Sequence, residues 1–199
     1  MSLIIKWKVG GRSPLRPLLK AATRRWQSVI TSNHQLTVAL ELKSKDGIGG
    51  NLATTFIEQL DPITGLPLAA RVELDAADAN LLQLSRSGRR ELTTVLTHEL
   101  GHALGFGALW QQRGLVDAAG YLGPSALREY QAKGGVGDRI PLEGQGGSGT
   151  AGVHWSEVIF GHELMTPDQD QNRSPLSRIT VGAIEDLGYG VNWAAAERY

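Results

Sequence analysis

Between Pro14 and Ile30 the apolar residues Leu15, Leu18, Leu19, Ala22, Trp26, Val29 and Ile30 recur at steps of three and four. That spacing lines them along one face of an α-helix. Leu36, Val38, Leu40 and Leu42 then alternate with polar positions, the period of a half-buried strand. The Lys45-Asp46-Gly47 and Gly49-Gly50-Asn51 clusters that follow read as turns, and further strands are expected at about Ala53–Gln59 and Ala69–Leu74. Asp61-Pro62 and Thr64-Gly65 fall between those two strands, as a connection should.

The helical period returns from Ser87 to Leu104, with Leu92, Val95, Leu96, Leu100 and Ala103 on one side and Ser87 or Gly88 as its start. Gly105 follows, and a glycine just past a helix end can adopt the left-handed conformation that turns the chain sharply. Beyond it the pattern dissolves. Residues 134, 135, 137, 144, 146, 147, 149 and 152 are all glycine, a loop signature. A last helix is expected over Ser177–Leu187, carried by Ile179, Ala183, Ile184 and Leu187 and stopped by Gly188. The expected fold is α+β in one domain: residues 1–105 form an N-terminal lobe of mixed sheet plus helices, and residues 106–199 a loop-rich C-terminal lobe ending in a helix.

Composition narrows the partners. The 199 residues carry 20 Lys+Arg against 20 Asp+Glu, so there is no basic excess to attract nucleic acid or an anionic membrane. No cysteine is present, which excludes disulfides, a thiolate nucleophile and Cys-ligated zinc. Any metal must be held by His, Asp or Glu. Lys6 and Lys8 interrupt the apolar start of the chain, so no signal peptide is visible there, and no apolar run approaches the roughly 20 residues that span a bilayer.

His98-Glu99-Leu100-Gly101-His102 is an H-E-x-x-H sequence inside the second predicted helix. His98 and His102 stand one turn apart on a single face, so both imidazoles can reach one cation. Glu99 points about 100° around the helix, near such an ion without ligating it, where a base acting on its bound water belongs. With five histidines in the chain, random placement produces this motif in on the order of 0.7% of such sequences. A catalytic zinc site has three protein ligands and one open position. The third ligand must come from His34, His154, His162 or an acid elsewhere.

The stretch His98-Glu-Leu-Gly-His-Ala-Leu-Gly-Phe106, followed by His154-Trp155-Ser-Glu157 and Glu163-Leu-Met-Thr166, resembles the leishmanolysin family of metzincin zinc peptidases. So do Gly146-Gly-Ser-Gly-Thr-Ala151, Leu176-Ser177 and Asp186-Leu-Gly-Tyr189. The resemblance runs from Arg71-Val-Glu-Leu-Asp75 onward. The compact metzincin pattern has its third histidine three residues after the glycine, where this chain has Ala108; in leishmanolysins an insertion separates the two. The resemblance therefore implies zinc held by His98, His102 and His154, Glu99 as general base, Gly105 at the turn, and Met165 in a Met-turn beneath the metal. Family members of eukaryotic surfaces are larger and disulfide-rich, so the resemblance is to a minimal catalytic domain; it favours a secreted or extracellular address, which the chain itself leaves unknown.

His162 competes for third ligand, but it lies only three residues before Met165 and would need a very tight reversal; Glu129, Glu143 and Asp117 are the acidic alternatives. His34 reads as a turn or surface residue, Tyr121, Tyr130 and Tyr189 as structural, and the pairs Arg24-Arg25 and Arg89-Arg90 as solvated charges. The glycine-rich run reads as a plain connection rather than a flap or an ion site. The expected activity is zinc-dependent endopeptidase action on protein or peptide substrates by a monomer, with the substrate extended along the Ala69–Leu74 strand taken as a sheet edge. Two other classes compete: an inactive peptidase-fold module that binds zinc and recognises peptides, and a zinc hydrolase acting on something other than peptides.

Overall fold

The computed structural model describes residues 3–11, 13–147, 149–168 and 174–199; Met1 and Ser2 of the amino-terminal segment and Ser148 of the glycine-rich motif lie outside them. The chain opens with strand β1 (Ile4–Lys8), which the sequence reading did not anticipate. The lysines that interrupt its apolar run are its outward half: Ile5 and Trp7 are half-buried while Lys6 and Lys8 face water. Lysines on an outer strand also oppose pairing with another chain. Helix α1 (Arg16–Val29) follows, entered through Pro17, and it buries Leu19, Ala22, Trp26 and Val29 as its period requires.

Strands β2 (Gln35–Lys43), β3 (Ala53–Leu60) and β4 (Pro67–Asp75) complete a four-stranded sheet in the order β1-β2-β4-β3. β1 and β4 run parallel to β2, whereas β3 is antiparallel to β4. Val72 of β4 pairs with Leu40 on one side and Thr55 on the other. The Ala69–Leu74 segment is therefore internal, and the expectation that it forms the sheet edge is corrected. The reason lies in the Asp61–Gly65 turn, where the Asp61 carboxylate accepts from Ile63 and Thr64 N–H at 2.9 and 2.8 Å. This turn connects antiparallel neighbours, so β3 covers the outer side of β4 and is itself the edge.

Helix α2 (Ala76–Leu82), also unanticipated, starts from Asp75, whose carboxylate caps the Ala77 and Asp78 N–H groups. Helix α3 (Arg86–Ala103) is capped by Ser85, close to the expected start. Gly88 lies where a Cβ would sit 2.2 Å from the Leu82 carbonyl, which lets α2 and α3 meet closely. α3 crosses α1, and the Trp26 indole N–H donates to the Thr97 carbonyl at 2.8 Å in the core. Large apolar side chains fully buried here, Trp26, Leu36, Leu74 and Leu92 among them, each contribute about 1.5–3 kcal/mol of transfer free energy.

After α3 come the two-residue strands β5 (Val116–Asp117) and β6 (Gly120–Tyr121), then helices α4 (Pro124–Ala132), α5 (Glu157–Phe160) and α6 (Arg178–Asp186). α6 begins at the Ser177 cap and Gly188 turns the chain at φ +104°, as expected. α4 has no side-chain cap of its own. Asp186 at the end of α6 supplies one, accepting from Ser125 and Ala126 N–H at 2.8 and 3.0 Å and from the Tyr121 hydroxyl at 3.1 Å. Gly182 permits the contact, since a Cβ there would lie 2.6 Å from the Ala126 backbone. The last residues return to α1, where Arg25 pairs with Glu197 at 3.0 Å; Arg25 is thus a tether, not a solvated charge. No helix among the described residues is long and apolar enough to cross a membrane.

Candidate metal centre

α3 carries His98 and His102 into a cleft of about 1280 Å³ whose walls include residues 50–57 of the β3 segment and part of the glycine-rich run. His154 enters from the opposite side. The three Nε2 atoms lie 2.9 to 3.0 Å apart. Each ring's Nδ1 faces a backbone carbonyl: Leu164 at 2.8 Å for His98, Phe106 at 3.0 Å for His102, and Thr150 at 3.0 Å for His154. A carbonyl only accepts, so each Nδ1 bears the proton. Every Nε2 of the neutral rings then presents a lone pair to the other two. Burial, reinforced by the charge of a neighbouring imidazole, holds all three pKa values down at about 3. Three converging neutral donors, each oriented from behind, suit a borderline-soft dication such as zinc. His98, His102 and His154 form the one such group among the described residues.

Local sequence explains how each ring arrives. Gly105, at φ +107°, ends α3 and donates to the His102 carbonyl at 2.9 Å. Phe106 can then turn its own carbonyl back to the His102 ring. Gly107, at φ +72°, lies where a Cβ would meet the Val153 carbonyl at 2.4 Å, so backbone touches backbone next to His154. The glycine-rich run is built rather than loose on this side. Glu143 N–H donates to the His154 carbonyl at 3.0 Å and Gly152 N–H to the Glu143 carbonyl at 2.8 Å, folding Thr150 against the ring. Trp155 locks the far side, its N–H donating to the Met165 carbonyl at 3.0 Å and its indole to Thr180 at 2.8 Å.

Glu99 is buried beside the cluster, and the Thr55 hydroxyl on β3 donates to its Oε2 at 2.5 Å. Burial pushes this carboxyl up to about 7, with the Thr55 hydrogen bond acting against the rise. Met165 is fully buried under α3. A Cβ at Gly101 would lie 2.7 Å from its Sδ, so the glycine inside His98–His102 makes room for the methionine. The turn that presents Met165 is held by Glu163, whose carboxylate accepts from Met165 N–H at 2.6 Å, Ser177 N–H at 3.1 Å and the Thr180 hydroxyl at 2.6 Å.

The other candidate ligands are engaged with partners of their own, Glu143 within the wall of the same cleft. His162 faces the Tyr199 ring, with 6.0 Å between centroids, and His34 contacts the Pro67 carbonyl at 2.7 Å. Glu129 is paired with Arg178 and Arg128, Asp117 with Arg139, and Glu143 accepts from Gly144 and Gln145 N–H. The Tyr121 and Tyr189 hydroxyls donate to Asp186 and to the Leu104 carbonyl. Thr55 and Gly107 escaped the sequence reading, and Glu163 entered it only as part of the Glu163-Leu-Met-Thr166 segment, with no role of its own. Only Gly107 left a local trace, as a second glycine two residues past the helix end.

The fold and site define a mixed α+β protein with a largely buried three-histidine group and an adjoining carboxyl in an open cleft. Residues 126–199 match the sequence model of the leishmanolysin family, peptidase family M8. Leishmanolysin of Leishmania donovani is 29% identical over 53% of this chain and 20% of that protein. A leishmanolysin-like peptidase of Drosophila melanogaster is 47% identical over 28% of this chain and 8% of that protein, and one of Drosophila pseudoobscura pseudoobscura matches equally. The aligned stretches thus span a fifth or less of these relatives. Over those stretches the chain resembles leishmanolysins, and its three clustered histidines form a group that could hold a metal ion.

Proposed function

We propose that this chain is a zinc-dependent endopeptidase of metzincin type, its residues 1–105 and 106–199 forming the two lobes of one catalytic domain around the cleft. His98, His102 and His154 would hold the zinc, and three protein donors leave a coordination position for substrate, as catalytic sites require. The observation that carries the reading is the convergence of three Nε2 lone pairs, each ring fixed by a carbonyl behind it. Zinc there would supply Lewis-acid polarisation of a water and of the scissile carbonyl.

The remaining work falls to the chain's own groups. Glu99 accepts a proton from the attacking water and returns it to the departing amine nitrogen as the C–N bond breaks. Thr55 steers the Glu99 carboxylate from the β3 side. β3 is the sheet edge along the cleft, so an extended peptide can add to it by backbone hydrogen bonds with its scissile bond before Glu99. Met165 and Gly105 act without touching substrate, one packing beneath α3 and the other ending it.

The purified protein is expected to cleave casein, to stop on chelation and to resume on addition of zinc. Glu99→Ala should lower turnover by about 10²–10⁴-fold with zinc content unchanged. Turnover within a few-fold of wild type in that variant would remove Glu99 from the base role, and no cleavage of any protein by the zinc-loaded wild type would favour the binding-module reading.

A further inference from the structure

The turn between β2 and β3 gathers acidic side chains that the peptidase site does not use. Asp75 and Asp78 are 1% and 4% exposed, and Asp46 lies in the turn itself. The Asp75 carboxylate is fully engaged, accepting from Lys45, Ala77 and Asp78 N–H at 2.8, 2.7 and 3.1 Å. Asp78 differs. Its Oδ1 accepts from Gly49 N–H at 2.9 Å, whereas its Oδ2, equally inaccessible to solvent, has no hydrogen-bond partner. Asp46 grips the adjoining part of the turn, accepting from Asn51 N–H at 2.9 Å.

Among the described residues no cation forms an ion pair with this charge. The nearby Lys45 ammonium is turned to Asn51 Oδ1 and Thr54 Oγ1, and none of the ion pairs among the described residues includes Asp46, Asp75 or Asp78. Glu91 of α3 adds to the imbalance: burial first and the Asp78 charge second hold its carboxyl above the ordinary range. A buried carboxylate oxygen with neither donor nor counter-ion is strongly unfavourable. Gly47, Gly49 and Gly50 all have φ between +79° and +89°, so the turn that Asp78 holds through Gly49 coils tightly. Oxygen donors without histidine or sulfur select a hard cation, and a flexible loop suits calcium better than the strict octahedron of magnesium.

We infer that the Asp46–Asn51 turn and Asp78 form a calcium site, with Asp78 Oδ2 as its anchoring ligand and Asp46 as a second. Calcium there would brace the mouth of the peptidase cleft, because residues 50–57 form that wall. The site stands independently of the zinc reading.

Calcium titrated into zinc-loaded protein in metal-depleted buffer should bind with one-to-one stoichiometry by calorimetry. At a hundredfold excess over Kd it should raise Tm by roughly 5–10 °C. Asp78→Asn, which keeps the acceptor for Gly49 N–H, should abolish both effects while zinc content by mass spectrometry stays unchanged. Should that variant not fold, Asp46→Asn at an exposed position is expected to weaken calcium binding by about tenfold or more. Absence of binding heat and Tm shift in the wild type at about 10 mM calcium, or an unchanged response in whichever variant folds, would overturn the inference. Neither readout depends on peptide cleavage.

Discussion

Two of the three clustered imidazoles are placed by one helix, the third by a web of loop contacts. His98 and His102 share a face of α3 because helical geometry stacks residues four apart, so their approach needs little beyond the helix itself. His154 depends on contacts that no short stretch of sequence contains: Gly107 against Val153, Trp155 against Met165 and Thr180, and Glu143 folding Thr150 onto the ring. A helix presents ligands as a rigid pair, whereas a loop ligand is only as well placed as the backbone around it. The helical pair should therefore tolerate distant changes better than the loop histidine.

The sharpest break in that comparison is removal of the loop ligand. His154→Ala is expected to reduce bound zinc from about one equivalent to a small fraction in atomic absorption after gel filtration, while His162→Ala retains it. The opposite pattern would move the assignment to His162. A smaller effect is expected from Gly107→Ala, which forces a side chain into the left-handed region and against the Val153 carbonyl. It should weaken zinc about 10–100-fold, by analogy with the loss of groups that orient metal ligands, while leaving the α3 helix intact by circular dichroism. Unchanged affinity in a competition titration would show that the contact does not position His154.

The smallest effect concerns the pair that tethers α4 to α6, well away from the site. Glu129 is buried, and the hydrogen bond from Arg178, then that from Arg128, holds its carboxyl below the ordinary value of 4.5. A carboxyl depressed in the folded state adds stability that is complete above that ordinary value and is lost as pH falls through the lower folded one. Arg178 is 45% exposed, so the contribution is limited to about 0.5–1 kcal/mol. Glu129→Gln should thus lower Tm by about 1–4 °C at pH 7. The gap from wild type should close in acid below the ordinary range; a constant gap would dissociate Glu129 from the pH dependence.

The same contrast governs what could be read before folding. α1, β2, α3 and α6 were legible because each carries its own period, and β3 and β4 because turn clusters lie before and between them. α2 and α4 were not: both are short, and Asp75 reads as the end of a strand while α4 takes its cap from Asp186, 61 residues beyond Ser125. β1 was visible as an alternation, yet its lysines were read only as interruptions. The edge position went to β3 because strand order is a tertiary property; two adjacent strands look alike in sequence. At the site, His98, Glu99 and His102 announce themselves by spacing, whereas His154 and Met165 were reached only through family likeness. The carbonyls of Leu164, Phe106 and Thr150, which orient all three rings, carry no side-chain signature at all.

X-ray absorption at the zinc edge on the purified protein tests the central assignment most directly. Three histidine nitrogens at about 2.0–2.1 Å together with one light-atom ligand not supplied by the protein are expected, with one nitrogen lost in His154→Ala. A first shell of only two histidines in the wild type, or a fourth position filled by a protein side chain, would contradict it.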